Sequence, residues 1–263
     1  MRVSIVIEKP GMPIAEIDLA VVCPMANEGQ DAPRFVSAAL DRCVGFRSVT
    51  FFAILDRATT DDSLELLRKL ERTESRLRVI WAPENRCVVD AYLRGYQEAL
   101  SSGADWILEI DAGFSHQPED IPRFFQAMEE GYDCVFGSRF IPGGSISDTP
   151  LKRQVLSRGG TLLANALLGT KLKDMTSGFE LFSRKALQMV LDKGIQSRAH
   201  FFQTEIKTYC AHLRTKEVPI RYKSASPRVS RSAVLDSVRQ LGRLAKLRYR
   251  GELRCQTASN AEG

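Results

Sequence analysis

The sequence predicts an α/β fold, a mostly parallel sheet with helices on both faces. Two observations predict it. Short apolar, β-rich runs alternate with segments of helical spacing from residue 17 to residue 140, the pattern that right-handed βαβ crossovers leave in a chain. The 263 residues, 44% hydrophobic and 26% charged, have an ordinary globular composition, enough for one sizeable core and one main domain.

The elements follow in order. "IDLAVVCPM" (17–25) is a β-rich run closed by a proline, and "PRFVSAALDRC" carries Phe35, Ala38 and Ala39 at helical spacing. "VTFFAILD" is the next strand, "DDSLELLRKLERTE" the next helix and "LRVIWAP" the strand after it. "VVDAYLRGYQEALSSG" reads as a helix ended by Gly103, "DWILEID" as a strand, "PEDIPRFFQAMEEG" as a helix and "YDCVFGSRF" as a strand. Beyond Phe140 the pattern changes. "IPGGSISDTP" is a Pro/Gly/Ser loop, "LKRQVLSRGGTLLANALLG" a helix, "KDMTSGFELF" polar and turn-rich, and "KEVPIRYKS" an added strand.

Open parallel sheets bind ligands beyond the carboxyl ends of their strands. Those ends carry Asn27 and Glu28, Asp56, Asp111, and Gly137-Ser138-Arg139. A strand-end Asp or Asn is also a good cap for the next helix, but four polar strand ends at one edge argue for a site.

Composition narrows the function classes. The segment from Arg221 to Arg254 holds ten Lys and Arg against Asp236 and Glu252, while the whole chain is only +5, so the basic character belongs to the C-terminal tail. Within it Val234, Val238, Leu241 and Ala245 share one helix face and Arg239, Arg243, Lys246 and Arg250 another. Such a helix suits an anionic membrane surface, or packs on the domain with a solvated basic face. No recognisable nucleic-acid module accompanies the charge, so nucleic acid is not an expected partner. The six cysteines are scattered, without a CxxC pair or a zinc-like histidine arrangement and without a signal-peptide pattern ahead of them, which fits a reducing, cytoplasmic compartment. No apolar run approaches the roughly 20 residues of a spanning helix, so membrane contact is expected to be peripheral, on the cytoplasmic face.

Eight strings in order, "VVCPMANEG", "LDRATTDDS", "EIDAGFSHQPED", "VFGSRFIPGG", "LKRQVLSRG", "DMTSGFELF", "FFQTEI" and "EVPIRY", together resemble glycosyltransferase family 2, and within it the polyprenyl-phosphate mannosyl- and glucosyltransferases. The resemblance covers Asp18 to about Arg231, roughly four-fifths of the chain. It implies a GT-A fold, expected over residues 1–230, ahead of the basic helix at 231–254 and an expected disordered tail at 255–263. It also implies an inverting transfer of a hexose from a nucleotide-diphosphate sugar to a polyprenyl phosphate at a membrane surface. On that basis Pro24, Asn27, Glu28 and Asp56 line the nucleotide pocket and Asp111 lies beside the diphosphate and a divalent cation, Mg²⁺ or Mn²⁺. Arg139, Arg153 and Ser157 match phosphate-binding positions, and Arg153 and Ser157, four residues apart, share a helix face. Asp174, Ser177, Gly178, Gln203, Glu205 and Arg231 border the sugar and acceptor side. A phosphate acceptor is already anionic, so no strong base is required, and His116, His200 and His212 can be bystanders. His116 is the one expected near the site. A membrane-anchoring partner or a homo-oligomer is compatible with this reading. The alternatives are a family 2 transferase with a saccharide or other soluble acceptor, and a non-catalytic nucleotide-sugar-binding subunit.

The departures from the family pattern are Arg57 where a second acidic residue is common, Cys87 and Val89 where glycines are usual, and Gly113 where the metal motif has its second aspartate. Three readings of Gly113 follow. Asp111 holds the cation with the donor's phosphates, with help from Glu109 on the same strand face. Backbone N–H groups and the Arg139/Arg153 pair replace part of the cation's work. Or the chain binds nucleotide without catalysis.

Overall fold

The computed structural model describes residues 13–147, 151–223 and 231–253. Its centre is a seven-stranded sheet built from β1 (Asp18–Pro24), β2 (Ser48–Leu55), β3 (Leu77–Trp81), β4 (Trp106–Glu109), β5 (Cys134–Ser138), β7 (Glu180–Ser183) and β8 (Thr215–Pro219), in the order β3-β2-β1-β4-β7-β5-β8. β6 (Ser145–Ser147) and β9 (Arg221–Lys223) form a separate parallel pair.

Pairing within β3-β2-β1-β4 is parallel, and so is β5 with β8. β7 runs antiparallel to both its neighbours. This strand is absent from the sequence-based reading, which assigns "DMTSGFELF" to turns; its four residues are too short to show alternation, and their pairing is entirely long-range. The chain winds outward from β1 to β2 and β3, then returns to place β4 on the other side of β1. That reversal makes the crevice at the carboxyl ends of β1 and β4 the topological switch point of the sheet.

Side chains alternate between two cores, as the strand period of two requires. Leu19, Val21 and Cys23 of β1 face one core, with Phe35 of α1 (Asp31–Leu40), Leu67 of α2 (Ser63–Glu71) and Phe124 of α4 (Ile121–Glu129). Ala20 and Val22 face the other, with Tyr92 and Tyr96 of α3 (Val88–Ser101), Leu187 of α6 (Arg184–Lys193) and Ile206 of α7 (Phe202–Tyr209). The α3 helix lies close on the sheet because it has Gly95 there: a Cβ at that position would sit 2.9 Å from Ile54 Cδ1.

Helices α5 (Leu151–Leu168) and α8 (Arg231–Tyr249) pack on each other at the edge of the second core. Leu244 and Gln240 are the buried residues of α8, while Arg239 and Lys246 are exposed. The tail helix therefore packs on the domain and also keeps a solvated basic flank. Arg248 ties the pair together by donating to the carbonyls of Ala166 and Leu167 at 3.1 and 2.9 Å, where α5 ends at Gly169 with φ of +72°. The expectation for residues 255–263 lies outside the described residues.

Glu205 does not border the acceptor side. It is fully buried under α8, where it accepts from Ser197 N at 2.9 Å and Tyr209 OH at 3.0 Å and forms an ion pair with Arg243. Its spacing in "FFQTEIK" gives no hint of this, because every residue of α7 is buried and its polar groups find partners only in the folded chain. Removing one partner of a buried ion pair costs about 3–5 kcal/mol. Arg243→Ala is therefore expected to destabilise the protein by about 3 kcal/mol in urea denaturation, and Glu205→Gln to recover part of that loss in the double variant.

Candidate active site

The carboxyl ends of β1, β2, β4 and β5 lie along one edge of the sheet, and the antiparallel β7 brings the Asp174–Gly178 loop to the same edge. The sequence-predicted residues Pro24, Asn27, Glu28, Asp56, Asp111, Arg139, Asp174, Ser177 and Gly178 are thus assembled there, though several play a different part from the one expected.

Asn27 is spent on the scaffold. In the left-handed region at φ of 59°, its amide donates to Ala58 O at 2.7 Å and accepts from Thr60 N at 2.8 Å, clamping the loop after β1 to the loop after β2. Ser63 Oγ and Asp61 secure the next turn through the backbone N–H groups of Glu28 and Gly29. Asp56 accepts from Ala58 N at 2.8 Å and has its second carboxylate oxygen without a partner among the described residues. Pro24 is half-buried at the end of β1.

Asp111 follows β4 at the switch point, and two residues hold it: Tyr92, which the sequence reading leaves unassigned, and His116, which it expects nearby. The Tyr92 hydroxyl donates to its carboxylate. His116, buried between Phe179 and Tyr222 at ring distances of 5.2 and 5.1 Å, lies 3.5 Å from the same carboxylate and accepts from Asp111 N at 3.4 Å. Burial lowers the His116 pKa to about 4, so it is a neutral brace, in keeping with its expected proximity and lack of a base role. The only sequence signal for Tyr92 is its place on the sheet-facing side of α3, which reads as core.

Glu109 is not a cation ligand. The strand ends at this residue, so the alternation that would align it with Asp111 stops there. Its wholly buried carboxyl accepts from Tyr96 OH and Gln203 Nε2, and burial followed by the neighbouring Glu180 pushes its pKa well up. Gln203, predicted to face the acceptor, is used here instead. Gly178 makes room for that amide: a Cβ would lie 2.9 Å from Gln203 Nε2.

Arg139 and Asp174 form a buried bidentate pair at 2.7 Å on both arms, with Thr176 Oγ1 at 2.6 Å from the guanidinium. The guanidinium also lies 5.2 and 5.3 Å from the ring centres of Phe140 and Tyr222. Asp174 thus neutralises an arginine instead of bordering the sugar, and Arg139 brings little net charge to the edge. Ser177 and Ser138 have buried hydroxyls without a partner among the described residues. Ser157 is half-buried on α5, one turn after Arg153. The side chains of Arg153 and Arg231 lie outside the described residues, although their backbones belong to the first turns of α5 and α8.

Gly113 adopts φ of +70° directly after Asp111, and a Cβ there would collide with the carboxylate of Glu28, 3.2 Å from its Cδ. Burial, then the charges of Asp31, Asp61 and Asp111, raise the Glu28 pKa. Among the described residues there is no group of three or more His, Cys, Asp or Glu able to hold a metal. Two hard oxygen donors beside a nucleotide diphosphate nevertheless fit Mg²⁺ or Mn²⁺, which take one or two carboxylates and fill the rest of their shell from phosphate and water.

Burial alone would raise the Asp174 pKa from its ordinary 3.8, but the Arg139 charge and hydrogen bonds overcome it and hold it at about 2. The stabilisation this pair contributes is complete above the ordinary value and is lost as pH falls through the folded one. Unfolding free energy is therefore expected to drop by on the order of 2 kcal/mol through this group as pH is lowered from about 5 to about 2. Asp174→Asn should lack that part of the slope in a pH series of chemical denaturation.

The family model of Glycosyl transferase family 2 matches residues 20–191. The chain is 26% identical over 236 residues to polyprenol monophosphomannose synthase from Mycolicibacterium smegmatis, covering 89% of this chain and 88% of that protein. It is 36% identical over 134 residues to undecaprenyl-phosphate mannosyltransferase from Micrococcus luteus, covering 50% and 55%. In structure it resembles glucosyl-3-phosphoglycerate synthase from Mycobacterium tuberculosis. The complex of that protein with uridine diphosphate superimposes with a TM-score of 0.63 at 15% identity, over 90% of this chain and 86% of that one. Its complex with Mn²⁺, UDP-glucose and phosphoglyceric acid gives 0.62 at 17% identity, over 92% and 86%. The seven-stranded sheet with its single antiparallel insertion is thus a GT-A fold, and with two-thirds of its length matched by the family model, the chain belongs to glycosyl transferase family 2.

Proposed function

We propose that this enzyme transfers a hexose of the mannose or glucose type from a nucleotide-diphosphate sugar to a polyprenyl phosphate at a membrane surface, with inversion at the anomeric carbon. The observation that carries the acceptor assignment is the character of α5. Ser157 faces partly inward, while Val155, Leu162 and Leu163 on the far side of the same helix are 61%, 69% and 52% exposed. Beside it α8 exposes Val234, Leu235 and Val238, with Arg239 and Lys246 flanking. One helix thus joins a phosphate-binding position to an apolar surface with a basic rim, the combination an anionic lipid bilayer attracts. No described helix is long and apolar enough to cross a membrane, so this surface is the means by which the chain reaches its acceptor. The relatives named for polyprenol and undecaprenyl-phosphate mannose transfer support the same acceptor class and favour mannose.

An acceptor phosphate oxygen attacks the anomeric carbon, the bond from that carbon to the donor diphosphate breaks, and its electron pair leaves on the diphosphate. The nucleophile is already an anion, so the site supplies position and charge stabilisation rather than a base. In this scheme Asp56 and Pro24 line the nucleotide side, Asp111 is fixed by Tyr92 and His116 beside the diphosphate, and Arg153 and Ser157 hold the acceptor phosphate. Asp111 would hold a divalent cation, which would supply charge neutralisation to the leaving diphosphate.

Purified protein incubated with labelled GDP-mannose or UDP-glucose and polyprenyl phosphate is expected to move label into the organic phase. Transfer only to a soluble acceptor, or donor binding without transfer, overturns the proposal. Arg153→Ala is expected to lose about 10–100-fold in turnover, the worth of one charge-assisted hydrogen bond to phosphate, while its melting temperature stays at the wild-type value.

The apolar surface has its own test. Each Leu that enters the acyl region contributes roughly 1.5–3 kcal/mol. Leu162→Glu and Leu235→Glu are therefore expected to release the protein from sedimenting anionic vesicles. They should also slow transfer to a long-chain acceptor in membranes far more than transfer to a short, detergent-free analogue. Unchanged sedimentation in both variants contradicts the lipid-facing role.

A further inference from the structure

Two carboxylates come close at the switch-point crevice, Asp111 after β4 and Glu28 across from it, and neither has a salt bridge to a Lys or Arg among the described residues. Asp111 is held by the Tyr92 hydroxyl and by the ring of His116. Glu28 is half-buried, and its carboxylate has neither a hydrogen bond nor an ion pair among the described residues. Its acidic neighbours are Asp31, Asp61 and Asp111. Of these, Asp31 is already paired with Arg34 at 2.6 Å, and Asp61 is engaged by the backbone N–H groups of Gly29 and Ser63 at 2.9 and 3.0 Å. Bringing like charges together in a partly desolvated place is costly unless a cation joins them.

The geometry of Gly113 says where that cation belongs. The Glu28 carboxylate occupies the volume into which any side chain at 113 would begin to grow. The acidic oxygens that residue 113 lacks are delivered to its position from the loop after β1, on the other side of the crevice. We infer that Glu28 supplies the second carboxylate of the divalent-cation site, in place of a side chain at position 113, so that the site is built across the loops after β1 and β4 rather than from one loop. The inference rests on the nucleotide-diphosphate donor of the proposed function, but not on the acceptor.

A consequence distinguishes this arrangement from a merely thinned site. Restoring aspartate at 113 alone places a side chain against Glu28, so Gly113→Asp is expected to bind cation no more tightly than the wild type and to be less stable. Combined with Glu28→Ala, which vacates the space, the same aspartate regains a place, since Asp is among the residues that tolerate the left-handed region.

The test reads Mn²⁺ directly, by the electron paramagnetic resonance signal of the free ion, in the presence of GDP or UDP and without acceptor. Glu28→Gln keeps the shape and breaks no described hydrogen bond, so it is expected to fold as the wild type. It should weaken Mn²⁺ binding about tenfold or more, as expected when a first carboxylate ligand is lost, and Glu28→Ala/Gly113→Asp should recover most of that loss. Wild-type Mn²⁺ affinity in Glu28→Gln overturns the inference. So does a variant that loses nucleoside diphosphate affinity equally in chelator, measured by equilibrium dialysis, because Glu28 would then be a nucleotide contact only. Mn²⁺ binding that depends on Glu28 in a protein that transfers no sugar to polyprenyl phosphate would leave this inference standing and remove the proposed acceptor instead.

Discussion

The wholly buried ion pair between Glu180 and Lys207, 3.0 Å long, is the constraint around which half of the site is organised. Glu180 lies on β7 directly opposite Glu109 on β4, so two carboxyls face each other in the middle of the sheet. Burial drives both towards protonation; Lys207 offsets part of this for Glu180, whose pKa stands at about 7. Lys207 also donates to Ser177 O at 2.6 Å. One ammonium group therefore joins α7, the central antiparallel strand and the loop that precedes it. That anchor acts with the β7 ladder and the buried Phe179, Leu181 and Phe182 to hold "DMTSGFELF" between its neighbouring strands.

The charge of the site follows from how its arginines are used. Arg139 is neutralised by Asp174, and the loop carrying Asp174 is fastened in turn by Glu217, which accepts from the backbone N–H groups of Lys173 and Asp174 at 2.8 and 3.0 Å. Among the described residues, what remains at the switch point is acidic, from Glu28, Asp56 and Asp111. Of the three readings that Gly113 opens, the one in which arginines take over the cation's work thus has Arg139 already spent on Asp174.

Much of this was legible in the sequence, and the limits have physical causes. The alternating pattern from residue 17 to residue 140 places the strands whose ends bear Asn27, Asp56, Asp111 and Arg139, because burial on two faces leaves a periodic signature. Roles were harder to read than places. Asn27, Asp174, Gln203 and Glu205 are polar residues near the family's site motifs, yet each is committed to another protein group. A sequence shows that a residue can form a hydrogen bond and not which partner reaches it first. Tyr92 and Tyr96 were hidden for the opposite reason: their rings are core, and only their hydroxyls reach the carboxyls of Asp111 and Glu109. Lys207 was invisible as a core residue because a lysine is buried only when a distant acid pairs with it.

The fastening of α8 bears on how the molecule is cut. A shorter chain ending before Arg231 would look, from its charge alone, like a catalytic domain freed of a basic appendage. It would instead strip the cover from Leu168 and Ala164, leave Glu205 without its guanidinium, and remove Arg248 from the end of α5. Truncation would thus loosen the fold at the same time as it removed the exposed basic and apolar residues of the tail. The tail behaves as a keel built into the hull, and the part its surface plays has to be read from single exposed residues.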